Sequence, residues 1–206
     1  MSYLGFESLP LRFFCMGSEL NTYHHQLKPG ISLVAKPELL DPNFLMTVTY
    51  ICEHNSEGSF GLTLNRRANV NFNVESMEIS PERSQKTFPV YIGGPVQLNS
   101  LFFLFRSNKE YERSIYVDKD IFLGANEELL DEIISSKNND IMLFLGCSGW
   151  SFYQLDCEVS SGSWFTHFFE TDFIFSSKED GFWLQSLGKI GPEFKEYGEN
   201  FLDNFK

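Results

Sequence analysis

The sequence predicts an α+β fold on a mixed, mostly antiparallel sheet, and three observations carry that expectation. Residues 47–53 and 60–64 are rich in β-branched and aromatic side chains and flank a polar stretch ending in Gly58, a hairpin signal. Leu129, Leu130, Ile133 and Ile134 form one apolar stripe at helical spacing. Residues 141–145 are a fully apolar run, the composition of a central strand. Hairpins and helices mixed along one chain argue for α+β.

In chain order, residues 1–29 read as a variable lead-in with an amphipathic stretch near 18–27. Residues 31–35 are a short run of β-formers. Pro37 and Pro42 then bracket a turn or short helix, since proline lacks an N–H and restricts its predecessor. The two hairpin strands follow and pair antiparallel. Residues 65–86 are polar with little periodicity, so this long stretch is expected to be functional, mobile or partly helical. Residues 88–92 predict a strand ending at Gly93-Gly94-Pro95, and 101–105 and 114–117 predict two more. Asn126 caps a helix through its side-chain oxygen, with Glu127 and Glu128 in the first turn, where the helix dipole favours negative charge. After 141–145, Gly146-Cys147-Ser148-Gly149-Trp150 is expected to turn out of the strand into a short helix over 151–159. Residues 164–169 and 173–175 read as strands. Ser177 caps a last helix near 178–187, with Phe182, Trp183 and Leu187 inward, and the tail after Pro192 is polar with spaced aromatics. No repeat or linker divides the chain, so its 206 residues are read as one domain.

Composition narrows the function classes. With 42% hydrophobic residues, disorder of the whole chain is excluded. The net charge is -12, and it is uneven: residues 1–103 hold 7 Lys+Arg and 9 Asp+Glu, whereas 104–206 hold 9 and 19. That sign opposes direct nucleic-acid binding and contact with an anionic membrane. No stretch nears the roughly 18 apolar residues of a membrane span, and the first residues show no basic leader, so neither a signal peptide nor an anchor is expected. The four cysteines at 15, 52, 147 and 157 show no CxxC spacing. A cytoplasmic location with reduced thiols follows as the expectation.

Several groupings bear on chemistry. Cys52 and His54 share one face if they end a regular strand, and an imidazolium beside a thiol favours thiolate; the plainer alternative is a buried cysteine and a hairpin-end histidine. The Gly146–Gly149 passage can offer backbone N–H groups to an anion, or can simply be a tight turn. It lacks the Lys-Ser or Lys-Thr pair of a P-loop and the Gly-x-Ser-x-Gly spacing of a nucleophile elbow. Arg66-Arg67, the one doubled basic site, follows Asn65 and can hold a phosphate or carboxylate, or can pair locally at the surface. His24, His25, His54, His167 and the cysteines show no metal-site spacing, so neither metal nor cofactor is expected.

Together these residues resemble the AlgH/YqgE family of bacterial proteins. The resemblance rests on Gly30-Ile-Ser-Leu-Val-Ala-Lys-Pro with Leu40-Asp41-Pro42-Asn43-Phe44, then Cys52-Glu53-His54-Asn55, Gly58 and Gly61-Leu62-Thr63-Leu64-Asn65-Arg66. Gly93-Gly94-Pro95-Val96, then Gly146, Gly149, Trp150, Gln154, Leu155 and Trp164 complete it, so that it runs from about 28 to 188. Arg67, Cys147 and Tyr153 depart from the family's usual Pro, Tyr and Gly. The resemblance implies an α+β domain whose branched sheet curls into a pseudo-barrel with flanking helices, and it implies little about activity. A transcriptional-regulator label travels with the AlgH name, without a recognised DNA-binding module, and no helix-turn-helix signature occurs here.

The expected function is therefore a non-enzymatic regulatory or adaptor role through protein contacts, with any effect on transcription indirect. The alternative is a small-molecule binder or enzyme using Gly146–Trp150 with Cys52, His54 and Arg66. The candidate ligand or regulatory surface comprises Cys52, His54, Asn65, Arg66, Gly93, Gly94, Gly146, Gly149, Trp150 and Gln154. Of the 22 phenylalanines ten lie in residues 150–206, interleaved with acids, and an exposed apolar surface is expected there.

Overall fold

The computed structural model describes residues 27–73, 87–136, 140–176 and 181–205. The expectations for residues 18–26, Cys15, His24, His25 and Ser177 lie outside them.

Ten strands and five helices occur among the described residues. β1 (Ser32–Ala35) pairs antiparallel with β2 (Val48–Asn55), and β2 with β3 (Gly58–Thr63), which is the expected hairpin. β4 (Arg67–Asn73) and β5 (Thr87–Ile92) pair with each other. β6 (Val96–Arg106), β7 (Ile115–Asp118) and β8 (Ile121–Gly124) precede α1 (Glu127–Ser135). β9 (Ile141–Ser151) leads to α2 (Gln154–Ser160) and β10 (Trp164–His167). α3 (Thr171–Phe175), α4 (Phe182–Ile190) and α5 (Pro192–Asn204) complete the fold.

The sheet order is β10-β1-β2-β3-β9-β6-β8-β7, and the path does not close. β9 is the branch point. It pairs antiparallel with β6 and β3, and its first half pairs parallel with β5. The sheet is thus mixed, mostly antiparallel and branched, as expected.

Burial on both faces explains the apolar runs. In β6, Phe102 and Leu104 join one core with Leu62, Phe144 and the helical residues Ile174, Phe182 and Leu187. Phe103 and Phe105 point the other way, against Leu129, Leu130, Ile133 and Ile134 of α1. Met142 and Phe144 divide from Ile141 and Leu143 in the same manner on β9. Asn126 caps α1 as predicted, its side chain accepting from the Leu129 N–H at 2.9 Å. A third core gathers Trp150, Leu155, Val159 and Trp164 beside Phe44.

Three expectations need correction. Residues 146–150 do not turn out of the strand: β9 runs on to Ser151, because β3 and β6 still offer backbone partners there. Residues 67–73 are a strand, not irregular, since β5 pairs with them despite their polarity; 74–86 lie outside the described residues. Residues 171–175 form α3, not a strand, with the Glu170 carbonyl accepting from the Phe173 and Ile174 N–H groups. The tail is α5, begun by Pro192 in its first turn, where a missing N–H costs nothing. Of the ten phenylalanines in residues 150–206 only Phe152 and Phe205 are exposed, together with Tyr153 and Tyr197. β8 had no counterpart in the sequence reading.

Candidate functional site

The nominated residues fall into three groups. The first is a glycine seam. A Cβ on Gly93 would stand 2.3 Å from the Gly146 carbonyl oxygen, and one on Gly94 would stand 2.3 Å from the Cys147 carbonyl oxygen. Gly146 itself has φ +70° and sits where the β6–β9 register shifts. Gly93 also joins β3 to β9: its carbonyl accepts from the Thr63 N–H at 2.8 Å and the Ser148 hydroxyl at 3.2 Å, and its N–H donates to Leu145 at 2.8 Å. Here glycine serves backbone-to-backbone contact at the branch point. Gly149 lies opposite Phe60 on β3.

Asn65 and Arg66 border the seam, because the Arg66 carbonyl accepts from the Ile92 N–H. The Asn65 amide accepts from the Val48 N–H at 2.9 Å and donates to the Met46 carbonyl at 2.9 Å. It fastens the turn before β2, where Met46 holds φ 54°. Arg66 donates to the Leu45 carbonyl of the same turn at 3.2 Å. Partial burial lowers its pKa, opposed by nearby Asp41.

The second group is Cys52 and His54, which the strand does not bring together. Register slips between Ile51 and Glu53, so simple alternation fails at Cys52. Cys52 is buried in the core and its thiol donates to the Tyr50 carbonyl at 3.8 Å. His54 instead contacts the Ser59 hydroxyl at 2.8 Å across the hairpin. Burial, then Glu53 and Cys147, raise the Cys52 pKa, which is the reverse of activation. Burial likewise pushes Cys147 up to about 11. Both thiols are free.

The third group centres on a residue that sequence reasoning missed. Glu158 of α2 accepts from the Trp150 and Trp164 indoles, both at 3.0 Å, and from the Gln154 amide at 3.0 Å. Gln154 in turn accepts from the Ser151 N–H at 3.1 Å, closing the turn between β9 and α2. The i, i+4 spacing of Gln154 and Glu158 was the available signal. At the tip of that turn Phe152 and Tyr153 are 55% and 62% exposed, with ring centroids 4.1 Å apart. Tyr153 holds φ 61°, a left-handed conformation that suits glycine better.

Arg106 was also missed. It meets Asp120 at 3.2 Å, Asp140 at 3.1 Å and Asp172, and faces the Phe175 ring. Asp120 accepts from the Thr171 hydroxyl at 2.7 Å, so this node fastens α3 to the sheet. No group of three or more ligands for a metal ion occurs among the described residues, and no helix there is long and apolar enough to cross a membrane.

Fold and sequence blocks together define an α+β protein of the AlgH-like family, to which this chain belongs: that family matches residues 32–195. Among its relatives, a UPF0301 protein of Chlorobaculum tepidum is 35% identical over 172 residues, 82% of this chain and 89% of the relative. A UPF0301 protein of Hahella chejuensis is 30% identical over 180 residues, 87% and 95% of the two chains. The solution structure of the AlgH protein from Pseudomonas aeruginosa superposes with a TM-score of 0.66 at 28% identity, covering 85% of this chain and 93% of that one. The crystal structure of a protein from Corynebacterium diphtheriae, 21% identical, shares the fold with a TM-score of 0.69 over 84% and 92%.

Proposed function

We propose that this chain is a cytoplasmic, non-enzymatic regulatory or adaptor protein that acts through protein contacts, any effect on transcription being indirect. The observation that carries the reading is the Phe152–Tyr153 tip. Two large aromatic side chains stand in water on a backbone that one of them strains. Neither packing nor turn geometry asks for them, and aromatics are the side chains enriched at the cores of protein interfaces. Trp150 and Gln154, both among the nominated residues, brace this tip from beneath through Glu158 and Ser151. The acidic second half agrees with a partner that is a protein rather than a nucleic acid.

Affinity capture from native cytosol, with the full chain as bait, is expected to return a specific partner. The double variant Phe152→Ser, Tyr153→Gly is expected to lose that partner while keeping its circular dichroism. Repeated recovery of nothing above background, or equal capture by the double variant, overturns the reading. Gel-shift titration with duplex DNA at low salt is expected to show no complex.

A further inference from the structure

Among the described residues three strands end the sheet: β10 and β7 at the two ends of the path, and β4 at the end of its side branch. An edge strand leaves backbone donors and acceptors unpaired, and edges are ordinarily guarded by polar side chains or by cover. β10 exposes none of its residues, and its Phe165 is seated on Phe194 of α5. β4 exposes Asn69 and Asn71 on one face and Val70 on the other. β7 is unlike both. Ile115 is 46% and Tyr116 54% exposed, and they stand on opposite faces, paired with Leu123 and Phe122 of β8.

Both side chains continue the interior. Tyr116 meets the Phe122 ring edge-on at 5.5 Å, and Phe122 stacks on Phe105 at 5.6 Å in the core beneath α1. Leu123, the partner of Ile115, belongs to the other core together with Val117. The two cores of the sheet thus run out to β7 and end there in side chains open to water. Among the described residues the backbone of β7 bonds to β8 alone. Its register shift lies between Tyr116 and Asp118, beyond the exposed pair.

We propose that β7 receives an extended segment of a protein partner as an added strand along residues 114–117, apolar over Ile115 and Tyr116 and carrying lysine or arginine at its ends. The unpaired backbone selects an extended chain, since main-chain bonds to a sheet edge are made by a strand and not by a helix. The exposed pair selects a strand that is apolar on both faces. The flanks select its charge: Glu110 and Glu112 are exposed beside β7, and residues 104–206 hold 9 Lys+Arg against 19 Asp+Glu. A second copy of this chain fits poorly. Antiparallel self-pairing centred on Tyr116 brings Arg113 toward Lys119 of the second copy, and pairing centred on Ile115 brings Glu112 toward its Asp118, like charges in each register. This inference rests on the protein-contact reading and adds a contact surface apart from the aromatic tip.

The test uses the full chain and a fluorescein-labelled peptide of about eight residues, valines flanked by lysines. It is run in about 0.1 M salt, where long-range attraction is screened. The control is the same peptide with its backbone amides N-methylated, which keeps side chains and charge but removes the donors. The plain peptide is expected to bind and to slow hydrogen exchange of amides within residues 114–117, and the methylated peptide is expected not to bind. The variant Ile115→Ser, Tyr116→Ser, which leaves the charge unchanged, is expected to keep its circular dichroism and lose about tenfold in affinity. Val70→Ser on the β4 edge is expected to bind within about twofold of the parent chain. No binding, equal binding of the methylated peptide, equal affinity of the β7 variant, protection confined to other strands, or self-association of the chain through β7 would each overturn the edge. A cytosolic partner lost by the tip variant but captured equally by the β7 variant overturns this edge and leaves the protein-contact reading standing. Peptide pairing at β7 without any captured partner does the opposite.

Discussion

Around Gly93, Gly94 and Gly146, backbone meets backbone with no room for a side chain, whereas at Phe152 and Tyr153 two aromatic rings stand in water on a turn built for glycine. Both regions adjoin β9, and both include positions singled out from the sequence. The seam spends its residues on geometry: glycine is present because a carbonyl oxygen occupies the space of a Cβ. The tip carries bulk that its geometry does not favour. A glycine motif here marks the branch of a sheet, and the tip leaves two aromatic rings in solvent.

Substitution at the seam should break that contrast most severely. Gly94→Ala is expected to cost about 3–5 kcal/mol in urea unfolding, because backbone at Cys147 cannot retreat without disturbing β9. A cost below about 1 kcal/mol would show the seam to be loose. Between seam and tip lies the Glu158 brace. Glu158→Ala removes the acceptor of two indole N–H groups and is expected to cost about 2–3 kcal/mol. The same variant should weaken any partner bound at Phe152–Tyr153, since the turn it supports would loosen.

The interior on the seam side also has a pH signature. The folded Cys147 pKa, about 11, lies above its unfolded value of 9.0, and that of Cys52 is raised as well. Between these values the unfolded thiols ionise and the folded ones do not, so the unfolded chain holds fewer protons. Stability is therefore complete below pH 9 and falls as pH rises toward 11, by roughly 1–3 kcal/mol, measurable as a falling urea midpoint. Alkylation of Cys52 in the native chain should correspondingly show an apparent pKa above 9.0. The smallest effect is expected at the tip. Tyr153→Gly should be neutral or stabilise by up to about 1 kcal/mol, since glycine accepts the left-handed conformation freely. Loss of stability there would mean that the ring packs on the protein after all.

Much of the sheet was legible in the sequence because two signals agreed. Residues 141–145 are apolar throughout, and they lie between β5 and β6 with opposite faces in opposite cores. Asn126 with the 129–134 stripe announced α1 through cap and period together. What failed was local chemistry overruled by distant partners. Gly146 and Gly149 look like a turn, yet β3 and β6 keep that stretch extended. β4 is polar, and only its pairing with β5 makes it a strand. Residues 171–175 have strand composition, but five residues between Glu170 and Ser176 wind into a helix that buries Ile174. Of the nominated surface, Gly93, Gly94 and Gly146 were singled out but not their contact, which depends on strands brought together only by folding; Glu158 left only its i, i+4 spacing from Gln154 as a signal, and Arg106 left none.

The Glu158 brace has an optical consequence. The chain holds three tryptophans, and each indole N–H has a fixed acceptor: Glu158 for Trp150 and Trp164, and the Ala35 carbonyl for buried Trp183. Trp150 and Trp164 lie 6.5 Å apart in an edge-to-face pair. Two indoles this close are expected to couple through their strong far-ultraviolet transitions and give an exciton couplet in the circular dichroism, whereas Trp183 packs against Phe201 of α5. Trp150 and Trp164 thus sit where they report the turn that bears the aromatic tip, and Trp183 where it reports the seat of the C-terminal helix.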